Sequence, residues 1–255
     1  MSLPGSLRKF AEDTAYCLVF FTRLPMPRLD LADRTLASAI WAAPLAGVVV
    51  AVIGALVHAA AVGLDIGTAP AAALTLAAMI LSTGALHEDG LSDVADGLGG
   101  GATRERRLEI MRDSRIGAYG AVGIALSVLI RWSALSEIHG WWPALLALMA
   151  AHAGSRGLLG AFMHSLPPAR SDGLSAGAGS VSGGTAIAGA ALGAALLLPL
   201  GLGAFVVSVL LLGLLFAAFR ALCLSRIGGH TGDTAGALQQ LAEIIILVVA
   251  STSLS

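Results

Sequence analysis

Residues 40–63 read IWAAPLAGVVVAVIGALVHAAAVG, and no Asp, Glu, Lys or Arg interrupts them. A helix over this run is about 36 Å long at 1.5 Å per residue, enough to cross the roughly 30 Å hydrocarbon core of a bilayer. Outward from it the pattern recurs. Ala69–Leu86 follows after a turn region at 63–70, and Gly117–Ile138 and Trp142–Met163 flank a His139-Gly140 turn. Gly184–Leu200 and Gly203–Leu224 flank Pro199-Leu200-Gly201, and Ala237–Leu254 closes the series. The expectation is an all-α, polytopic integral membrane bundle of about seven transmembrane helices.

Composition excludes the soluble alternative. Of 255 residues 56% are hydrophobic and 12% charged, about half the roughly 25% charge of soluble domains. Mean hydropathy is +0.84. Too little polar surface remains to cover a water-soluble globule. The net charge of −1 gives no global field to draw nucleic acid. Two cysteines, Cys17 and Cys223, make no disulfide framework and read as packing residues.

The segment before Leu24 differs from the spans. Leu7, Phe10, Tyr16, Val19 and Phe20 alternate with Arg8, Lys9, Glu12 and Asp13, which predicts a helix at the interface or tucked under the bundle. The short run 15–21 leads into Thr22-Arg23-Leu24-Pro25 rather than into a small-residue cleavage site.

Basic residues sort completely when the N-terminus is cytoplasmic. Arg8, Lys9, Arg23, Arg28 and Arg34 then lie inside, as do Arg104, Arg106, Arg107, Arg112 and Arg115. Arg170, Arg220 and Arg226 join them, Arg131 and Arg156 fall within spans, and the far side carries no Lys or Arg. Every long polar connection is thereby on one side, so the chemistry is expected at the cytoplasmic face. The chain, 1–255, reads as one membrane-embedded domain with residues 87–118 as its polar active segment.

That segment opens with His87-Glu88-Asp89-Gly90-Leu91-Ser92-Asp93-Val94-Ala95-Asp96-Gly97. On a helix Asp89 and Asp93 are four apart and Asp93 and Asp96 three apart, so three carboxylates share one stripe with Glu88 on its flank. Like charges near a membrane repel and lose solvation. A hard divalent cation relieves both, and Mg²⁺ accepts carboxylate oxygens while keeping positions for phosphate. The stretch 104–111 suggests a short amphipathic helix, and Arg112 and Arg115 read as a paired guanidinium clamp for phosphate oxygens.

A third polar island is Arg226-Ile227-Gly228-Gly229-His230-Thr231-Gly232-Asp233. Its glycines free the backbone to approach a phosphate, and the helix N-terminus that follows favours anions. Gly229, Thr231 and Gly232 are the candidate contacts, and Asp233 a further metal ligand. Gln240 and Glu243 share the Asp233 face, and Glu243 lies inside the last span. Arg131, Glu137, His152 and Arg156 are ion-pairing or functional candidates, whereas His58, His139 and His164 read as ordinary loop or span-end residues.

In this order the residues resemble the cobalamin synthase family, the adenosylcobinamide-GDP ribazoletransferases. The motifs are 20–25 (FFTRLP), 86–97 (LHEDGLSDVADG), 110–120 (IMRDSRIGAYG) and 228–233 (GGHTGD). Their spacing covers nearly the whole chain, with Ser92 in place of an expected Ala. The resemblance implies a transferase in the last steps of cobamide synthesis, in the bacterial cytoplasmic (inner) membrane. It would join adenosylcobinamide-GDP to alpha-ribazole, or its 5′-phosphate, and release GMP, with Mg²⁺ as cofactor. The expected metal set is Asp89, Asp93, Asp96 and Asp233. Arg112, Arg115 and His87 are expected substrate contacts, and Glu88, Asp113 or His87 the acceptor of the hydroxyl proton. Glu88, Asp89, Asp93 and Asp113 form the expected catalytic set. Expected partners are these small molecules and membrane lipid, with a homo-oligomer as an option and no nucleic acid. Two alternatives stand beside this reading. One is a CDP-alcohol phosphotransferase, although no Ala-Arg follows an Asp-Gly here. The other is an ion-coupled transporter running through Glu243, Arg131 and Arg156, which would place polar residues at the midplane.

Overall fold

The computed structural model describes residues 5–26, 34–170 and 179–254. Arg28, counted above on the inner side, and most of the Gly/Ser-rich stretch after Ala169 lie outside the described residues.

The described chain is helical. In order it forms α1 (Gly5–Phe21), α2 (Leu36–Ala39) running through a 3-10 turn into α3 (Ala43–Gly63), α4 (Thr68–Thr83), α5 (Leu86–Gly100) and α6 (Arg104–Ile110). Then come α7 (Ala118–Ser136), α8 (Trp141–Ser165), α9 (Gly183–Ala195), α10 (Leu202–Ile227) and α11 (Gly232–Ser253). Six helical stretches are long and apolar enough to cross a membrane, and a bent pair, α4 with α5, makes up to seven.

Burial sorts centre from rim. Of the most apolar stretch of α8, 72% is buried inside the protein, against 17% for α10. Small residues put α8 at the centre: a Cβ on Gly157 would lie 2.9 Å from the Gly189 carbonyl oxygen and from Gly193 Cα on α9. A Cβ on Gly47 of α3 would lie 2.4 Å from the His152 carbonyl oxygen. Backbones this close gain dispersion contact without any hydrophobic drive, the usual adhesive between helices in lipid. On α10, Leu202, Leu210 and Leu214 are exposed and face outward.

α1 is tucked in rather than merely interfacial. Cys17 and Phe21 are buried against Leu36, Ile40, Leu159 and Met163, while Leu7, Phe10 and Val19 stay exposed. Asp13 accepts a hydrogen bond from Trp41 Nε1 (2.9 Å), and Glu12 one from Arg34 Nη2 (2.8 Å), tying α1 to the start of the first span. Both cysteines are free and buried, as packing residues should be.

The second span departs from the expected continuous helix 69–86. It stops at Thr83 and turns by 88° into α5. Gly84 and Ala85 are both left-handed, at φ +65° and +58°. The Ala85 amide closes α4 on the Ile80 carbonyl at 2.9 Å, a glycine-type helix ending. A side chain at Gly84 would collide with Arg23, whose Nε lies 2.6 Å from the Cβ position. Past the bend, α5 climbs along α7. Glu88 meets Arg131, well down α7, and Asp96 meets Gly117 and Gly120 at the N-terminus of α7. α4 and α5 are thus two limbs of one broken span, and the second limb carries the carboxylates from mid-bundle out to one face.

Candidate active site

That face gathers the three polar islands. Arg104 Nε donates to the Ile227 carbonyl and its Nη2 to the Ala169 carbonyl, each at 2.8 Å. Arg107 Nη1 reaches the Arg226 carbonyl at 3.2 Å, and Arg170 Nη2 the Leu108 carbonyl at 3.0 Å. Except at Ala169, these cations bind carbonyls left open at a helix C-terminus, so arginines counted above for topology also fasten α6 to the end of α10.

α5 lies against the first turn of α11 because Gly90 has no side chain; a Cβ there would sit 2.8 Å from the Asp233 carbonyl oxygen. The contact brings Asp233 beside the α5 stripe. Asp93 stands within electrostatic reach of Asp89, Asp233 and Asp96, with Arg170 the opposing cation. Arg170 Nη2 lies 3.5 Å from Asp233 Oδ2. The spacing-based stripe is therefore present, and a fourth carboxylate reaches it from the far end of the sequence.

Two openings meet at this stripe. One, of about 200 Å³, is walled by Phe20, Phe21, Leu36, Ile40, Leu159 and Met163 and holds His87, Asp89, His230, Thr231, Gly232 and Asp233. The other, of about 320 Å³, is lined by Asp89, Ser92, Asp93, Arg112, Asp113 and Arg115. Asp89 borders both. A third, of about 450 Å³, continues along Arg104, Arg112 and Arg170.

Several expected roles change. Asp96 is no outward ligand: its Oδ2 accepts from the Gly117 amide (2.7 Å) and its Oδ1 from the Gly120 amide (2.9 Å). It supplies, from another helix, the cap that Gly117 lacks, and its negative charge suits the N-terminus of α7. Asp96→Ala is expected to cost about 1–2 kcal/mol of stability and Asp96→Asn clearly less, read by thermal unfolding in detergent. An equal loss for both variants would deny the capping role.

Glu88 is turned inward. Its Oε1 takes hydrogen bonds from Arg131 Nη1 (3.1 Å) and Gln240 Nε2 (3.3 Å). Asp113 is gripped by Arg115, whose Nε lies 2.9 Å from its Oδ1, and those hydrogen bonds bring its pKa down to about 2. A carboxylate so held is a poor proton acceptor. The clamp is also altered, because α6 ends at Ile110 and Arg112 and Arg115 sit on the following turn. They share a cleft, but not a helix face.

Gly229 serves the backbone, not a phosphate: a Cβ would lie 2.1 Å from the Pro167 carbonyl oxygen, where the chain pairs His230 with Pro168. Thr231 is the N-cap of α11 in a capping box with Thr234, and it lines the first opening together with the unobstructed Gly232. His230, given no role from the sequence, also lines that opening; burial lowers its pKa, which favours the neutral ring. Its one sequence cue was its place between glycines.

Below the face lies a buried polar network. Arg131 Nη1 donates to Glu243 Oε1 at 2.9 Å as well as to Glu88, and Gln239 Nε2 donates to Glu243 Oε2 at 2.6 Å. His152 Nδ1 lies 3.3 Å from Glu243 Oε2, and Arg156 Nη1 donates to the His152 carbonyl at 3.0 Å. Polar residues therefore do occur at mid-depth. Two arginines there balance two glutamates in formal charge, while Glu88 Oε2, Arg131 Nη2 and Arg156 Nε have no hydrogen-bond partner among the described residues. Glu137 is exposed and outside it. His58, read as a loop or span-end residue, is instead fully enclosed within α3.

Among the described residues no group of three or more His, Cys, Asp or Glu side chains is arranged to hold a metal ion. The donor chemistry nevertheless fits Mg²⁺, which is usually held by one or two carboxylates together with substrate phosphates and water. The excess of carboxylates around Asp93 is what such an ion would neutralise.

The family model described as Cobalamin-5-phosphate synthase matches residues 13–251. The chain is 64% identical over 258 residues to the Adenosylcobinamide-GDP ribazoletransferase of Mesorhizobium japonicum, covering 100% of each. It is 47% identical over 253 residues to the protein of that name in Bradyrhizobium diazoefficiens, covering 98% of this chain and 97% of the relative. For that of Rhizobium johnstonii the identity is 42% over 258 residues, covering 97% and 99%. No solved structure matches.

Proposed function

Because the chain belongs to the Cobalamin-5-phosphate synthase family, we propose that it is a transferase joining adenosylcobinamide-GDP to alpha-ribazole, or to its 5′-phosphate, in cobalamin biosynthesis. The ribazole ribose hydroxyl attacks the phosphorus attached to cobinamide, the bridging P–O bond breaks, and GMP leaves. The observation carrying the chemistry is the meeting of Asp89, Asp93 and Asp233 between two openings at one end of the bundle, beside Arg112, Arg115 and Arg170.

Asp93 and Asp233 would hold Mg²⁺, with Asp89 adjacent. Bound there, the ion would neutralise pyrophosphate charge in an in-line displacement. Arg112 and Arg170 draw the phosphates along the outer cleft, and Arg115 exchanges its hold on Asp113 for the same anions. Of the three proton acceptors expected from the sequence, Glu88 is ion-paired and Asp113 is held by Arg115, while His87 Nδ1 faces Arg156. Asp89, which lines both openings, would take the hydroxyl proton. The face is cytoplasmic by the distribution of Arg and Lys, in the inner membrane, with lipid against the exposed leucines of α10.

The family sets aside both the CDP-alcohol phosphotransferase and the transporter. The deciding experiment is release of GMP from adenosylcobinamide-GDP by the purified protein with alpha-ribazole. Activity is expected with Mg²⁺ and not with EDTA. Undiminished turnover in EDTA would overturn the metal assignment, and absence of GMP under all conditions the reaction.

A further inference from the structure

The smaller opening is enclosed by α1, the α2–α3 junction, α5, α8 and the start of α11. At about 200 Å³ it is below the roughly 300–1,000 Å³ of a cleft for a whole ligand, so it takes one part of a substrate. Its walls are largely apolar: Phe21, Leu36, Ile40, Leu159 and Met163.

Two buried ring nitrogens without a hydrogen-bond partner among the described residues belong to histidines of that wall, His87 Nε2 and His230 Nδ1, and the His87 ring is the one a neighbouring donor orients. Arg156 Nη2 approaches His87 Nδ1 at 3.5 Å. A guanidinium only donates, so this contact favours the tautomer with the lone pair on Nδ1 and the ring proton on Nε2. Phe21 stacks on the ring at 5.8 Å and 13°, fixing its plane. His87 is 3% exposed, and its Nε2 has no hydrogen-bond partner among the described residues. His87 lines the pocket, so a buried ring nitrogen with no partner stands in its wall beside an apolar slot.

A ligand part that matches is flat, apolar and carries one acceptor with no donor of its own. The dimethylated benzimidazole of alpha-ribazole has this character: one ring nitrogen bears the ribose and the other a free lone pair. Guanine brings N–H and amino donors, for which the apolar part of the slot, Phe21, Leu36, Ile40, Leu159 and Met163, has no acceptor; the acceptors of this opening are Asp89, Thr231 and Asp233.

We propose that this cavity seats the aromatic base of ribazole, with His87 Nε2–H donating to its free ring nitrogen. Asp89 then lies at the mouth, where the ribose emerges toward the cleft of Asp93 and Arg112. The assignment rests on the ribazole-joining reaction above.

The test is calorimetric binding of alpha-ribazole, and separately of adenosylcobinamide-GDP, to the detergent-purified full chain. Met163→Trp fills the slot and His87→Leu removes the donor. Each is expected to raise the ribazole Kd about tenfold or more with the adenosylcobinamide-GDP Kd within about twofold. His87→Gln keeps an N–H and should restore most of the affinity. Weakened adenosylcobinamide-GDP binding with ribazole unaffected would overturn the assignment, as would no change in either. If Met163→Trp does not fold, the His87→Leu and His87→Gln pair decides, since it leaves the slot open. A parent protein that binds neither substrate refutes the reaction itself; one that binds both, with variants acting on the wrong one, refutes only the cavity.

Discussion

Asp93→Asn is expected to lower GMP release by about a thousandfold or more while leaving the protein inserted and at least as stable as the parent. The two halves of that expectation have one cause. Asp93 faces Asp89, Asp233 and Asp96, with Arg170 as the opposing cation. In the resting protein its charge is desolvated by burial and repelled by these carboxylates, so an isosteric amide relieves strain. In turnover the same charge is needed to hold the cation that neutralises the pyrophosphate. Loss of even one well-placed oxyanion donor costs about 10²–10³ in rate, and loss of a metal ligand is expected to cost more. Turnover measured beside thermal unfolding in detergent reads both. Activity within about tenfold of the parent would remove Asp93 from the metal site.

The second large effect is on folding. Glu243→Leu is expected to destabilise the protein by about 3–5 kcal/mol, because it leaves two buried arginines, Arg131 and Arg156, against Glu88 alone in this network. Arg131 and Glu243 are each 1% exposed and 2.9 Å apart. The variant keeps Glu88 at 3.1 Å from Arg131 but removes one of the two acceptors of the Gln239 amide, leaving Ser155 Oγ at 2.9 Å. Glu243→Gln preserves an acceptor and should lose less. The measurement is the midpoint of denaturant unfolding, together with the fraction recovered in membranes. A Glu243→Leu midpoint equal to that of the parent would show that the network does not hold α7 to α11.

The spans were legible because lipid is a simple solvent: each crossing must satisfy its backbone internally and show an apolar surface, so it appears as an uncharged run. The start of the first span, the α7–α8 pair and the end of α10 fall within a few residues of expectation. The break at Gly84 and Ala85 was not legible. Apolar residues continue through it, and only the left-handed backbone and the side chain of Arg23 reveal that the chain must turn there.

The same division runs through the site. Helical spacing alone put Asp89, Asp93 and Asp96 on one stripe, since the 3.6-residue repeat is local geometry. Which of them faces a substrate was a matter of neighbours. The amides of Gly117 and Gly120 claim Asp96, Arg131 claims Glu88 and Arg115 claims Asp113. The part played by Gly229 likewise came from Pro167, a residue far away in the chain.

The amino-acid sequence by itself determined that this is a helical membrane protein with acidic and basic islands at one face, because hydropathy and helical periodicity act over a few turns of chain. Only the tertiary structure decided which carboxylates stay available. A buried charge takes its role from the donor that reaches it first, and those donors arrive from helices far apart in the sequence.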